Sequence, residues 1–268
     1  MSESAVEIKD LVKTFGGGRS LFGRARKQVQ AVRGISLTLE RGETLGIVGE
    51  SGSGKSTLAR MLVGLERPSS GDMLIDGKPW GDLAATGSRA FGRTIQYVFQ
   101  DPVASLNPRK TIGDILDVPL RLLCGHGREA RARRKTELID AVQMPLDTLE
   151  RYPHEFSGGQ AQRIAIARAL AAEARILVLD EPVSALDVSV QAQVLLLLQQ
   201  LRDDLGLSYL FISHDLAVVE SISDRVAVMY LGEVVEVGPS AQLFANPQHD
   251  YTRALIASAP RLGHPETA

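Results

Sequence analysis

The sequence predicts an α/β fold in which a mostly parallel sheet carries helices on both faces. Two apolar strands, at 176–179 and 209–212, each end in polar residues, and a segment with helical periodicity lies between them. A third short apolar strand, at 45–48, runs into a glycine-rich loop and then another helix. Because strands that alternate with helices form right-handed βαβ units, these segments predict a parallel sheet flanked by helices.

The first part of the chain predicts a small antiparallel β subdomain beside that core. Residues 6–15 form one predicted strand, and apolar and polar residues alternate from 35 to 40, which is the period of a half-buried strand. A third strand, at 73–75, ends in an Asp-Gly pair that is typical of a hairpin turn. Between them, residues 19–30 are rich in basic side chains, and we interpret this segment as a solvated loop insertion.

The middle of the chain predicts a helical subdomain inserted into the sheet. A strand at 95–99 is followed by apolar residues at helical spacing from 112 to 116, and residues 128–142 form a predicted helix rich in arginine. We expect the arginines to lie on a solvated helix face rather than against an acidic partner. A further helix is predicted at 161–172.

A closing pair of strands at 226–229 and 234–237 completes the predicted core. We therefore expect a single domain over 1–268. Its four parts are an antiparallel subdomain with the phosphate-loop part of the core (about 1–93), a helical subdomain (about 101–165), the rest of the core (about 166–240) and a tail (about 241–268).

Composition excludes several classes of protein. The net charge is −2, so global basicity gives no reason to expect a nucleic-acid partner. The single cysteine, Cys124, excludes an intrachain disulfide framework and a cysteine-rich metal site. No apolar run approaches the roughly 18 residues that a bilayer-spanning helix needs. If the protein serves transport, other chains must supply the pathway.

The loop after the strand at 45–48 predicts nucleotide binding. It matches G-x-x-x-x-G-K-[ST], in which backbone N–H groups surround a di- or triphosphate. The lysine places a charge at the β- and γ-phosphates, the next hydroxyl can bind Mg²⁺, and the following helix points its N-terminus at the phosphates. The residues are Gly49, Glu50, Ser51, Gly52, Ser53, Gly54, Lys55, Ser56 and Thr57.

Two other motifs add chemistry to this loop. Asp180 ends the apolar strand at 176–179, at the sheet edge where ligands bind, and a carboxylate there can hold Mg²⁺ through a water. Glu181 follows it and can orient and polarise an attacking water. The motif Ser157-Gly158-Gly159-Gln160 opens a helix, and its first-turn N–H groups predict either a second phosphate site or an ordinary serine cap with glycines in the loop.

Together these residues resemble the ATP-binding cassette (ABC) family of transporter ATPases, in order and in spacing, over nearly the whole chain. The resemblance implies ATP hydrolysis with Mg²⁺. It further implies that Phe15 stacks on adenine, that Gln100 binds Mg²⁺ or water and senses membrane subunits, and that His214 contacts the γ-phosphate. The loop of Ser184-Ala185-Leu186-Asp187 would cross to a partner's nucleotide site. One departure is Phe156, where leucine is commonest.

The family resemblance also implies an assembly. Two cassettes, this chain with a related chain or with itself, would bind ATP head to tail between one phosphate loop and the other chain's 157–160 segment. Two transmembrane permease subunits and, indirectly, an extracytoplasmic solute-binding protein would complete the transporter. The cassette would then be peripheral, on the cytoplasmic face of the inner membrane, and no nucleic-acid partner is expected.

Further motifs resemble the dipeptide, oligopeptide and nickel importer branch of that family. They are the runs at 97–102, 105–109, 152–160 and 246–255. We favour peptide as the cargo and keep nickel as the alternative. The five histidines show no metal-ligand spacing, which argues against direct Ni²⁺ binding.

Two other classes of function fit the sequence less well. A soluble cassette ATPase acting on DNA or ribosomes usually carries two cassettes or long inserts, and this chain has one cassette. A nucleotide-binding regulator without turnover is disfavoured because the positions of Glu181 and His214 are both filled.

Overall fold

The chain folds around two β-sheets, and the computed structural model describes residues 4–16 and 28–258, apart from the side chain of Ser88. The predicted insertion at 19–30 lies largely outside the described residues. The strands are β1 (Ser4–Phe15), β2 (Val29–Glu40), β3 (Thr44–Val48), β4 (Ser70–Ile75), β5 (Lys78–Pro79), β6 (Ile95–Val98), β7 (Ile176–Asp180), β8 (Ser208–Ile212), β9 (Arg225–Tyr230) and β10 (Glu233–Pro239). The helices are α1 (Lys55–Leu62), α2 (Trp80–Ala85), α3 (Ser88–Thr94), α4 (Pro102–Ser105), α5 (Ile112–Leu122), α6 (Arg128–Ala141), α7 (Gly158–Leu170), α8 (Val188–Leu205), α9 (Leu216–Ile222), α10 (Ser240–Ala245) and α11 (Asp250–Ser258).

The smaller sheet is antiparallel, with strand order β2-β1-β4-β5, and it confirms the predicted antiparallel part of the fold. Asp76 and Gly77, at φ values of 52° and 71°, make the tight turn between β4 and β5, as the Asp-Gly pair predicts. Strand β2 begins at Val29, six residues before the predicted strand. The sequence does not predict the first half of β2 because the apolar alternation is interrupted there by Gln30, Arg33 and Gly34. Pairing with β1 stabilises this part of the strand instead.

The larger sheet has the order β10-β9-β3-β8-β7-β6 and is parallel except for β10. Every residue of β3, β7 and β8 is buried, which is why these strands read as continuous apolar runs. Successive residues of β7 pack into two different hydrophobic cores, one on each face of the sheet. Leu177 and Leu179 pack with the helices α5 to α9, whereas Ile176 and Val178 pack with α1 and the smaller sheet. The predicted parallel sheet covered on both faces is confirmed.

Four helices and two short 3₁₀ turns lie between β6 and β7. Helix α5 begins after Thr111, whose hydroxyl accepts a hydrogen bond from the N–H of Asp114 at 3.2 Å. Helix α6 buries only Leu138 and Ile139, and Arg133 exposes 78% of its side chain. Arg131 and Lys135 are instead half-buried and contact Asp117 at 2.8 Å and 3.7 Å, so only part of the basic face is solvated.

The last described part of the chain contains two helices, α10 and α11, after β10. Tyr251 of α11 packs on the larger core together with Leu255 and Ile256. Within residues 4–16 and 28–258, no helix has both the length and the apolar character needed to cross a bilayer.

Candidate nucleotide site

The phosphate loop joins β3 to α1 and is shaped by two glycines with positive φ. Gly49 has φ 146°, and a Cβ added there would lie 2.1 Å from the carbonyl oxygen of Met229. Gly54 has φ 106°, and a Cβ there would lie 2.3 Å from the carbonyl oxygen of Ala31. A side chain at either position would collide with backbone, so the loop requires glycine.

Lys55 is the first residue of α1 and lies almost buried inside the loop. Its Nζ donates hydrogen bonds to the carbonyl oxygens of Gly49 at 2.6 Å and Glu50 at 2.9 Å. Burial lowers the pKa of Lys55, while the carboxylates of Glu181, Asp180 and Glu50 act in the opposite direction. The ammonium is therefore held by the loop and by the acidic residues around it.

A hydroxyl and a carboxylate meet at the base of the loop. Ser56 Oγ lies 3.3 Å from Asp180 Oδ1, and the hydroxyl of Tyr97 on the neighbouring strand donates to Asp180 Oδ2 at 2.5 Å. Burial raises the pKa of Tyr97, and the hydrogen bond to Asp180 raises it further, so the phenol stays protonated and keeps donating. The sequence places Tyr97 in an apolar strand and in the 97–102 run that resembles the importer branch, but it assigns the phenol no role at the nucleotide site.

Glu181 lies between two polar side chains above the loop. Its Oε1 is 3.2 Å from Nδ1 of His214, and its Oε2 accepts a hydrogen bond from Nε2 of Gln100 at 3.0 Å. Its backbone has a φ of 50°, in the left-handed region, and its N–H donates to the carbonyl oxygen of Ile212 at 2.9 Å. A strained backbone at a polar site is typical of residues whose side chains must be aimed.

The loop and these side chains line one cavity of about 480 Å³. Seven of the predicted nucleotide and magnesium residues line it together with Glu181, His214 and the unpredicted Ala31; these seven are Ser51, Gly52, Gly54, Lys55, Ser56, Thr57 and Gln100. Asp180 lies beneath them, bonded to Ser56. The structure therefore brings together the predicted phosphate loop, magnesium ligands and water-orienting residues.

Three predicted contacts lie away from this cavity. Phe15, at the end of β1, is 39% exposed and has Lys13 Nζ 4.8 Å from its ring centroid. Ser157 caps α7, since its Oγ accepts a hydrogen bond from the N–H of Gln160 at 3.5 Å and Gln160 Oε1 accepts one in return from the N–H of Ser157 at 3.0 Å. Helix α7 consequently begins at Gly158, three residues before the predicted start. Asp187 caps α8 by accepting from the N–H of Val190 at 3.0 Å, and that hydrogen bond lowers its pKa.

The two glycines of the 157–160 segment also permit close packing between helices. A Cβ on Gly159 would lie 2.2 Å from Cγ1 of Val190 in α8, and one on Gly158 would lie 3.3 Å from Cδ2 of Leu186. The ordinary serine cap is thus present. It coexists with an exposed first turn, because Ser157, Gly158 and Gln160 are all exposed.

Cys124, His126 and Glu173 form a separate polar cluster with donor atoms within 4.8 Å of one another. Glu173 already contacts Nε2 of His126 at 3.0 Å and Nη2 of Arg93 at 3.5 Å. We interpret this cluster as a set of polar contacts that ties the end of α7 to the turn before α6.

The sheet, the loop after its central strand and the acidic pair at the end of β7 define a nucleoside triphosphatase with a phosphate loop. Family comparison makes the class specific. The model described as "ABC transporter" matches residues 32–184, and the one described as "Oligopeptide/dipeptide transporter, C-terminal region" matches residues 235–268. The chain belongs to the ABC transporter family and is an ATPase of that family.

Individual relatives agree with this assignment. A putative peptide import ATP-binding protein of Brucella abortus is 51% identical over 260 residues, covering 97% of this chain and 78% of the relative. The dipeptide transport ATP-binding protein DppF of Haemophilus influenzae is 50% identical over 252 residues, covering 94% and 77%. The glutathione import ATP-binding protein GsiA of Escherichia coli is 49% identical over 261 residues, covering 96% of this chain and 41% of that longer relative.

A solved structure supports both the fold and the ligand class. A dimeric ATP-binding cassette in a post-hydrolysis state, bound to ADP and Pi, superposes with a TM-score of 0.75 at 29% identity. The superposition covers 88% of this chain and 98% of that structure. The fold prediction and the prediction that the chain binds ATP are confirmed.

Proposed function

We propose that this chain hydrolyses ATP to power import of di- or oligopeptides through a membrane ABC transporter. The observation that carries the catalytic part is the position of Glu181, held between Gln100 and His214 beside the phosphate loop. There Glu181 orients and polarises the attacking water, and His214 supports it and hydrogen-bonds the γ-phosphate. Lys55 and the loop N–H groups stabilise charge on the phosphates.

The proposed magnesium ligands offer only oxygen atoms. Ser56 supplies a hydroxyl, Asp180 a carboxylate and Gln100 an amide oxygen, a hard donor set of the kind that Mg²⁺ prefers. Ser56 and Asp180 are already 3.3 Å apart. Bound there, Mg²⁺ would neutralise charge on the β- and γ-phosphates, with Tyr97 orienting Asp180.

Replacing Glu181 tests the catalytic assignment. Glu181→Gln keeps the size of the side chain but removes the carboxylate, so we expect ATP binding to persist while hydrolysis falls by at least about 100-fold. Phosphate release and equilibrium binding of ATP measure the two effects. Lys55→Ala is the matched control, because it should lose nucleotide affinity instead. Unchanged turnover in Glu181→Gln would refute the role of Glu181.

The 157–160 segment and Asp187 are proposed to act on a partner's nucleotide. Both belong to helix starts outside the cavity, and Asp187 is exposed. A second cassette, a related chain or another copy, would place its phosphate loop against Ser157, Gly158, Gly159 and Gln160, with Asp187 crossing between the two sites. ATP then favours the closed pair because only that state completes both sites. Phe15 is the proposed adenine contact.

An apolar groove beside Gln100 is the proposed contact for the permease subunits. It has a volume of about 660 Å³ and is lined in part by Phe99, Leu122, Val118 and Leu65, which are 41% to 57% exposed. Phe99 precedes Gln100, which donates a hydrogen bond to Glu181. A permease segment bound in the groove would therefore contact the residue next to Gln100. The cassette would then lie at the cytoplasmic face of the inner membrane, with the solute-binding protein acting indirectly from the other side.

The four-part division of the chain is also a proposal. The helices α4 to α7 fall mainly within the proposed helical subdomain of 101–165, and β7 to β10 fall within 166–240. Limited proteolysis of the chain tests these boundaries, which predict cleavage in the exposed residues 99–101 after β6 before cleavage within the strands of the larger sheet.

Peptide is favoured over nickel by the match of residues 235–268 and by the names of the relatives. The test is co-purification with two permease subunits, followed by uptake of labelled di- and oligopeptides or Ni²⁺ into vesicles. ATP-dependent peptide uptake supports the proposal, and Ni²⁺ uptake alone would replace it with the nickel alternative. A DNA- or ribosome-stimulated ATPase that binds no permease would favour the soluble class instead.

A further inference from the structure

A residue near the end of the described chain contacts the start of the phosphate loop. The backbone N–H of Glu50 donates a hydrogen bond to the hydroxyl oxygen of Tyr251, in α11, at 3.1 Å. That N–H belongs to the peptide unit Gly49–Glu50, and the carbonyl oxygen of the same unit accepts from Lys55 Nζ at 2.6 Å. One peptide unit is therefore held on one side by Lys55 and on the other by Tyr251.

The planarity of this unit makes the two contacts interdependent. In a trans peptide the C=O and N–H are rigidly coplanar and point in opposite directions, and the described chain contains no cis peptide bond. A rotation that released Glu50 from Tyr251 would also turn the carbonyl oxygen of Gly49 away from Lys55. Tyr251 thus restrains a group that itself contacts the phosphate-binding lysine.

Tyr251 is in turn fixed by contacts within the C-terminal region. Its ring lies 4.1 Å, centroid to centroid, from that of Tyr230, at the end of β9. The segment before α11 is anchored by Glu236, whose two carboxylate oxygens accept from the N–H groups of Gln248 at 2.8 Å and His249 at 2.9 Å. His249 Nδ1 accepts from the N–H of Tyr251 at 3.1 Å. These contacts therefore hold the start of α11, and with it the hydroxyl oxygen of Tyr251, in a fixed position.

Glu236, His249 and Tyr251 lie in the part of the chain that matches the oligopeptide/dipeptide transporter C-terminal region, residues 235–268. We propose that Tyr251 is a positioning residue for ATP binding, through which this C-terminal region restrains the phosphate loop. The proposal rests on ATP binding at that loop and is independent of the transported cargo. A loop that is already ordered loses less conformational freedom when phosphate binds, so the hydrogen bond strengthens ATP binding.

Tyr251→Phe tests this proposal because it removes only the oxygen and keeps the stacked ring. In the full-length chain assembled with its transporter, we expect the KM for ATP to rise about 2- to 10-fold, the range that corresponds to one hydrogen bond. We expect kcat to stay within about twofold, since Tyr251 contacts no reacting atom. Equilibrium binding of a fluorescent ATP analogue should weaken by the same factor.

Tyr230→Phe is the matched control. It removes a hydroxyl from the other ring of the stacked pair, and that hydroxyl makes no hydrogen bond to the loop within the described residues. It should leave the KM for ATP unchanged. A purely structural role for α11 would lower thermal stability in both variants without a selective rise in KM.

Hydrogen exchange gives a readout that does not depend on hydrolysis. Without added nucleotide, the fragment that contains residues 44–58 should exchange faster in Tyr251→Phe than in the parent chain or in Tyr230→Phe. Faster exchange with raised KM in Tyr251→Phe alone supports the proposal. An unchanged KM for ATP in Tyr251→Phe, or an equal change in Tyr230→Phe, overturns it.

Discussion

At the scale of single residues, the two acidic side chains at the end of β7, Asp180 and Glu181, point in different directions. Asp180 points down to Ser56 and Tyr97, whereas Glu181 points into the cavity between Gln100 and His214. Glu181 lies just beyond the strand and has a left-handed backbone, so its side chain does not continue the alternation of β7. The two adjacent carboxylates therefore suit the two roles proposed for them, Asp180 at the magnesium ion and Glu181 at the attacking water.

The hydrogen bond from Tyr97 to Asp180 should strengthen magnesium binding at the proposed site. Tyr97→Phe removes the donor to Asp180 Oδ2 but keeps the ring, which packs 4.6 Å from that of Phe99. Supporting hydrogen bonds around metal ligands typically contribute 10- to 100-fold in metal affinity. We therefore expect the half-saturating Mg²⁺ concentration for ATP hydrolysis to rise about 10-fold.

A magnesium titration of ATPase activity measures this change. Tyr230→Phe serves again as the control, since it removes a phenol outside the metal site. An unchanged magnesium requirement in Tyr97→Phe would show that Asp180 is oriented without its neighbour's hydroxyl.

At the scale of elements, the contact between α7 and α8 explains why the 157–160 segment needs glycine at one position more than at the other. Gly159→Ala would force a methyl group to 2.2 Å from Val190, so we expect a loss of about 1–3 kcal/mol in the free energy of unfolding. Gly158→Ala meets only the end of Leu186, at 3.3 Å. Its clash is offset by the roughly 1 kcal/mol by which alanine favours helix over glycine.

Urea unfolding of the single chain without nucleotide measures both variants. The expected result is a clear loss for Gly159→Ala and a change within about 1 kcal/mol for Gly158→Ala. Equal losses would mean that the two glycines are required for the helix start rather than for packing between α7 and α8.

The same scale separates what local sequence predicts from what it cannot. The sequence predicts the loop at 49–57 because its strand, glycines, lysine and helix are contiguous. The first half of β2 was missed because its support comes from pairing with β1. The contacts of Asp180 with Tyr97 and of Glu50 with Tyr251 join residues 83 and 201 positions apart, and strand register and helix docking, rather than any local pattern, create them.

At the scale of the whole molecule, the buried phenol of Tyr209 should make the free energy of unfolding fall at alkaline pH. Burial raises the pKa of Tyr209, whose hydroxyl donates to the carbonyl oxygen of Leu198 at 3.0 Å. The unfolded state releases this proton at about pH 10, before the folded state does. The stabilisation is therefore complete below about pH 10 and falls above it by about 1.4 kcal/mol per pH unit.

Tyr209→Phe isolates this contribution. The variant should be less stable at neutral pH because its hydroxyl contact is lost, but its free energy of unfolding should fall less steeply above about pH 10, by about 1.4 kcal/mol per pH unit. Lys55, whose pKa is lowered, acts equally in both chains. Parallel slopes for the variant and the parent would exclude Tyr209 as the cause.

The residues that contact the phosphate loop also determine when it can fold during synthesis of the chain. Strand β3 has β8 and β9 as its neighbours, Gly49 packs against the carbonyl of Met229, and Glu50 bonds to Tyr251. A ribosome that adds 5–20 residues per second needs roughly 10 to 40 seconds to proceed from Glu50 to Tyr251. The phosphate loop is thus synthesised early, yet its full set of contacts forms only after α11 has been made.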